Sequence, residues 1–290
     1  MNRLKTGRAA GFAAVATVYL TAGALGVWLY GRLPLPVWAA VLVADAAATV
    51  WVFLFSLLFR NASVYDPYWS VQPPVILLAL AWGRPVTAAG WLLIALVCLW
   101  AVRLTANWAV TFRGLAYEDW RYVRLRQKTG AAYPLVNFGG IHMVPTLIVW
   151  ACVMPGVDLL QFGGEWNPGV MAGAVLCLLG VGLELAADIR MQRFRRTRPA
   201  PFIRQGLWKW SRHPNYLGEI LFWWGVAALA MAALPGRWWL AAGAAANTLL
   251  FVCVSIPMAD RRQAEKPGYA AYRAATRCLL PIPKRDPADK

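Results

Sequence analysis

Four groups of polar residues fall where the surrounding sequence is apolar, and each holds residue types that move protons or bind anions. The first is NASVYDPYWS, Asn61 to Ser70. Asp66 precedes Pro67, whose fixed φ and missing N–H suit a helix start, so the carboxylate can serve as a helix cap. Tyr65, Tyr68 and Trp69 surround it with aromatic surface, which would desolvate the acid, raise its pKa and make it a proton donor. The second is GLELAADIRMQRFRR, where Glu184 and Asp188 stand four apart and share a helical face. Arg190, Arg193, Arg195 and Arg196 follow within two turns. This group reads either as a self-neutralising ion-pair network or as a wall for a large charged ligand.

The third group is RHPNYLGE. His213 precedes Pro214, which places a helix start there with Asn215, Tyr216 and Glu219 in its first turns. A helix N-terminus beside Arg212 and its neighbours favours an anionic group, phosphate above all. Capping accounts for one or two of these polar residues, not for all of them. The fourth is Arg103 with Asn107, one turn apart inside an apolar run. A charge in such a place snorkels to the surface or lines a cavity.

The elements that must position these residues are membrane helices. Of 290 residues 60% are hydrophobic and 14% charged, and the mean hydropathy is +0.48; soluble domains carry about a quarter charged residues. Apolar runs of spanning or near-spanning length fall at 9–30, 37–59, 64–82, 86–110, 141–155, 169–189, 217–235 and 238–256. The third is polar at its start and the fifth is short, so seven or eight spans are expected in an all-α, polytopic bundle. The first run follows MNRLKTGR without a clear cleavage site and reads as an uncleaved helix.

The net charge of +16 does not imply nucleic acid. The basic residues lie in connectors beside apolar runs, where they meet anionic lipid and set orientation. They concentrate at the N-terminus, at 111–140, at 190–214 and in the tail 260–290. Eight spans would put all four on the cytoplasmic side. The five cysteines form no CxxC pair, so neither a metal site nor a disulfide framework is expected. With no internal repeat, the chain reads as one membrane domain, 1–290, in which 1–60 form N-terminal helices.

GLWKWSRHPNYLGEIL and the tail KPGYAAYRAATRCLLPIP resemble the C-terminal half of the steroid 5-alpha-reductase superfamily. YDPYWS, RLTANW, GLAYEDWRY and GIHMVPTLIVW are similar to segments of its uncharacterised bacterial branch, and the likeness spans roughly 61–285. The resemblance implies a membrane fold holding NADPH near the cytosolic face, hydride transfer to the β carbon of a lipophilic enone, and a bacterial inner-membrane location. It implies a catalytic pair at Tyr65 and Asp66, and cofactor contacts from Arg103, Glu184, Asp188, Arg195, Asn215 and Glu219; Asn107, Arg212, His213 and Tyr216, polar neighbours in the same groups, are expected at the same cofactor. Trp69 and Trp100 would face substrate. Three departures stand out: Tyr65 replaces a glutamine and Asp66 a glutamate, Trp100 replaces a tyrosine, and Glu184 replaces an asparagine.

Two other functions fit the same residues. Isoprenylcysteine carboxyl methyltransferases, which use S-adenosylmethionine, also carry an RHPxYxG motif opening a late helix, though the tail here, with Glu265, lacks their paired glutamates. A lipid-binding scaffold without catalysis is the third reading, since fold does not fix function.

Overall fold

The computed structural model describes residues 7–197 and 200–282. Residues 1–6, 198–199 and 283–290, which carry part of the basic charge expected to orient the spans, lie outside the described residues. Among the described residues there is no β-strand, only an isolated bridge between Ser211 and Arg277. Seven helical stretches are long and apolar enough to cross a membrane, and the chain is a multi-pass α-helical membrane protein. Its contacts divide it into two compact units, 1–165 and 166–290.

In the first unit, α1 (Arg8–Tyr30) and α2 (Val37–Phe59) are the first two spans. The prolines of GRLPLP interrupt them, because Pro34 and Pro36 cannot donate to a continuing helix. At the close of α2, Arg60 adopts a left-handed φ of 53°. A short 3-10 turn, Ala62–Tyr65, then leads into α3 (Tyr68–Ala81). At 14 residues, α3 is about 21 Å long, less than the roughly 30 Å hydrocarbon core. It also contains Pro73 and Pro74. Apolar content predicted a near-span over 64–82; its polar start forms the 3-10 turn and the Asp66–Pro67 step, and the helix that follows, running through both prolines to Ala81, is short.

Helix α4 (Ala88–Thr111) is the third span, its first turn capped by the Thr87 hydroxyl, which accepts from the Gly90 N–H at 3.3 Å. The connector expected over 111–140 is largely helical. Asp119 caps α5 (Trp120–Thr129) by accepting from the Arg121 N–H at 2.9 Å. A 3-10 turn, α6 (Tyr133–Val136), a π-helical turn (Asn137–Met143) and α7 (Val144–Phe162) follow without a break. The run 141–155 is therefore the end of a continuous stretch from Trp120 to Phe162. Hydropathy passes over α5 because its arginines and lysine are polar, yet such straight-chain residues favour helix.

In the second unit, Asn167 caps α8 (Pro168–Thr197), its side-chain oxygen accepting from the N–H groups of Gly169 and Val170. α9 (Pro214–Ala233) opens with proline at its first position, where no N–H is missed. The two helices pack backbone to backbone. A Cβ on Gly180 would lie 2.7 Å from the Gly218 carbonyl oxygen, and one on Gly225 2.7 Å from the Cys177 nitrogen. Small residues that admit such approach drive helix association in lipid, where water expulsion contributes nothing. Gly180→Ala should therefore destabilise the fold by about 1–3 kcal/mol, read as a lower melting temperature in detergent. The last span runs from Trp238 to Ala264 through α10 (Ala242–Leu250), a π turn and α11 (Ile256–Ala264). α12 (Tyr269–Ala275) ends the described helices.

Candidate functional site

Asp66 lies outside the seven spans, between the 3-10 turn and α3, and α3 opens at Pro67 without a side-chain cap. Its carboxylate instead faces α5. The Tyr122 hydroxyl donates to Oδ1 at 2.5 Å, and the Arg121 guanidinium stands 3.8 Å from the same oxygen. The side chain is only one-fifth exposed. Burial pushes its pKa up to about 6, against the opposing pull of Arg121 and the Tyr122 hydrogen bond. A carboxyl group with this pKa holds and releases a proton near neutral pH.

The backbone around Asp66 is stapled in place by side chains that the sequence pattern did not single out. The Asn61 amide donates to the carbonyls of Leu115 and Tyr117, and its oxygen accepts from the Ser63 N–H. Glu118 accepts from the Ala62 N–H and from Arg126, both at 2.8–2.9 Å. The Asp119 N–H donates to the Ser63 hydroxyl. Asn61 is 3% exposed, so Asn61→Ala takes the donor from the buried Leu115 carbonyl and from that of the more exposed Tyr117. The cost should be about 1–3 kcal/mol, seen as earlier melting and faster proteolysis within 112–119.

Tyr65, 2% exposed, points away from this arrangement. Its hydroxyl shares a hydrogen bond with Thr146 at 2.7 Å, and Thr146 bonds Thr49 at 2.9 Å. Its ring packs on His142, with centroids 4.6 Å apart. His142 is fully buried in the π-helical turn, Nδ1 bonded to the Asn137 carbonyl at 3.1 Å. Such turns recur at functional sites. Tyr65 and Asp66 are thus neighbours in sequence that serve different surroundings.

Trp69 and Trp100, expected at substrate, meet edge to face at 6.0 Å, and Trp100 is fully buried. Ser70 and Thr105 bond each other at 2.9 Å. Arg103 is 8% exposed and Asn107 is half-buried on the same helix, α4, of the first unit. The other residues expected at a cofactor belong to the second unit.

There, Arg212 and His213 converge on Asp260 of α11, a residue absent from the sequence-based candidates. Asp260 Oδ1 is 3.0 Å from His213 Nε2 and accepts from the Tyr269 hydroxyl at 2.5 Å, while Oδ2 accepts from Arg212 at 3.1 Å. Arg212 also donates to the Thr276 carbonyl at 2.8 Å. The N–H groups of Arg212 and His213 reach the carbonyls of Arg277 and Cys278. This cluster clamps the tail to the start of α9. Tyr216 stacks on His213, interplanar angle 6°. Glu219, 3% exposed, accepts from Trp223 Nε1 at 2.8 Å. Glu184, 2% exposed, lies against Gly218, where a Cβ would come within 2.4 Å of its Cγ. Asp188 and Asn215 are half-buried and Arg195 is exposed.

Sequence reasoning also passed over Asp45, an acid midway along α2 and 5% exposed. It was legible as a charge inside an apolar run. The Tyr68 hydroxyl lies 3.4 Å from its Oδ1, and the Gln72 amide donates to Oδ2. No group of three or more metal-ligating side chains occurs among the described residues.

Residues 52–276 match a family described as "Protein of unknown function (DUF1295)". The chain is also 28% identical to an uncharacterised protein of the fission yeast Schizosaccharomyces pombe, over 57% of this chain and 56% of that one. It thus spans little more than half the length of this curated relative.

Proposed function

We propose that the chain, which belongs to the DUF1295 family, is a membrane oxidoreductase that reduces an activated C=C bond of a lipophilic enone with NADPH. One observation carries the reading: a mostly buried Asp66 whose pKa stands at about 6, held by Tyr122 beside Arg121. A neutral carboxyl group in a dry site can donate to a carbonyl oxygen as negative charge develops there. The resemblance of RHPNYLGE and the tail to steroid 5-alpha-reductases supports the same chemistry, as it supports a bacterial inner-membrane location with the cofactor on the cytoplasmic side.

NADPH, when bound, supplies the hydride. The residues of this chain fit it in part. Arg193, Arg195 and Arg196 at the end of α8 remain exposed, and guanidinium groups suit phosphates, the 2′-phosphate included. Asn215 and Tyr216 in the first turn of α9 offer further polar groups, with Glu184, Asp188 and Glu219 along α8 and α9. Arg212 and His213 are engaged by Asp260, so their part is to hold the start of α9 in place. In the proposed reaction Asp66 gives up its proton, Tyr122 orients the carboxyl, and Trp69 with Trp100 keeps water from that wall.

The test is NADPH oxidation by the purified protein in nanodiscs, supplied with lipid extract and with a panel of α,β-unsaturated ketones. The proposal expects consumption that depends on an enone and is lost in Asp66→Asn. Methyl transfer from S-adenosylmethionine to a lipid, with NADPH inert, would carry the methyltransferase reading instead.

A further inference from the structure

One arginine stands between two carboxylates at the start of α5. Arg121 Nε donates to Asp119 Oδ1 at 2.8 Å, and the same oxygen accepts from the Arg121 N–H at 2.9 Å. Nη2 of that guanidinium stops 3.8 Å from Asp66 Oδ1, close enough to feel the charge but beyond a hydrogen bond. Asp119 thus engages the guanidinium, which only leans on Asp66. Glu118, the neighbouring acid, is engaged elsewhere, by Arg126 and the Ala62 N–H. Around Asp66 stand also the hydroxyls of Ser63, of Tyr122 in α5 and of Tyr19 in α1.

A general acid has two states to serve. To hold its proton near neutral pH it needs surroundings in which no cation fully offsets its charge; to release the proton it needs a counter-ion at hand. A guanidinium shared with a second carboxylate meets both needs, since a movement of about 1 Å turns the longer approach into a charge-assisted hydrogen bond. We propose that Asp119 is a positioning residue for Asp66: it holds Arg121 back while Asp66 keeps its proton and yields it as a counter-ion once the proton has gone. The proton passes to the substrate oxygen and is replaced from solvent, which takes Asp66 as the acid of the reduction proposed above. Asp119 opposes ionisation of Asp66 and Arg121 favours it, so the two act with opposite sign on one carboxyl group.

The test is the titration of Asp66, followed by carbon-13 NMR of the full chain in nanodiscs with aspartate labelled at its side-chain carboxyl, the resonance being assigned by Asp66→Asn. Neither cofactor nor substrate is present. A protein that titrates as expected yet leaves NADPH untouched would therefore sink the reduction and leave the role of Asp119 standing. Asp119→Asn keeps a helix cap and an acceptor for Arg121, so the melting temperature should hold, but it removes the charge. It should lower the Asp66 midpoint by about one pH unit. The protonated fraction at pH 7, and any rate that needs it, then falls about tenfold. Arg121→Gln should raise the midpoint, and in that background Asp119→Asn should have a smaller effect, because it acts through the arginine. A midpoint that Asp119→Asn leaves in place, or an equal change with and without Arg121, would overturn the proposal. So would a midpoint unmoved by Arg121→Gln.

Discussion

Asp66→Asn should slow NADPH-dependent reduction by about 10²–10⁴-fold, the usual worth of a positioned general acid, with little change in melting temperature. Asparagine preserves the shape of the side chain and can still accept from Tyr122. It cannot hand over a proton. The pH dependence separates chemistry from structure. With a pKa of about 6, Asp66 is protonated below that value and ionised above it, so a rate that needs the acid falls as pH rises through about 6. The Tyr122 hydrogen bond favours the charged form. Tyr122→Phe should therefore raise the pKa further and carry the falling limb to higher pH. Stability follows the same sign: the raised pKa contributes stabilisation that is full below the ordinary carboxylate range and is lost as pH rises through about 6. A purely structural Asp66 would leave the rate profile unmoved in both variants.

Asp260→Ala should be the most disruptive substitution for stability in the second unit. It strands Arg212, whose side chain is 10% exposed, together with His213 at 7%. Removing one partner of a buried ion pair costs about 3–5 kcal/mol, because the remaining charge has nothing to offset its desolvation. The Tyr269 hydroxyl loses its acceptor as well. Melting should fall steeply, and proteolysis should begin in the segment 265–282 that the cluster clamps. Asp260→Asn, which retains an acceptor, should lose less. If Asp260→Ala melted like the parent protein but lost NADPH affinity, Arg212 and His213 would be cofactor ligands rather than a clamp.

Apolar runs made most of the spans legible, because lipid demands long uncharged helices and little else imitates them. The boundaries were less so. A 19-residue view of hydropathy passes over α5, whose Arg121, Arg124 and Arg126 are helix formers, and over the helical continuation of the last span through Arg261 and Arg262. Run 64–82 looked longer than the helix it contains because its first residues belong to the 3-10 turn and the Asp66–Pro67 step that precede the helix.

The candidate site was legible as residue types and illegible as partnerships. Asp66 stood out beside aromatic neighbours, but its actual partners, Arg121 and Tyr122, come from a segment 55 and 56 positions away that reads as a connector. RHPNYLGE suggested an anion site from its charges. Asp260, in the basic tail beyond the last apolar run, turns two of those charges inward. Asp45 needed no structure to be noticed, since any acid midway along a span is a functional signal; its pairing with Gln72 is a tertiary fact.

The most direct measurement of the central claim is the melting temperature of the purified protein as NADPH is titrated to saturation, with S-adenosylmethionine as the parallel ligand. Ligand linkage at a hundredfold excess over Kd contributes about 2.7 kcal/mol. The account predicts a concentration-dependent rise with NADPH that S-adenosylmethionine does not produce, weakened in Arg195→Ala. No rise at millimolar NADPH, or a rise with S-adenosylmethionine alone, would contradict it.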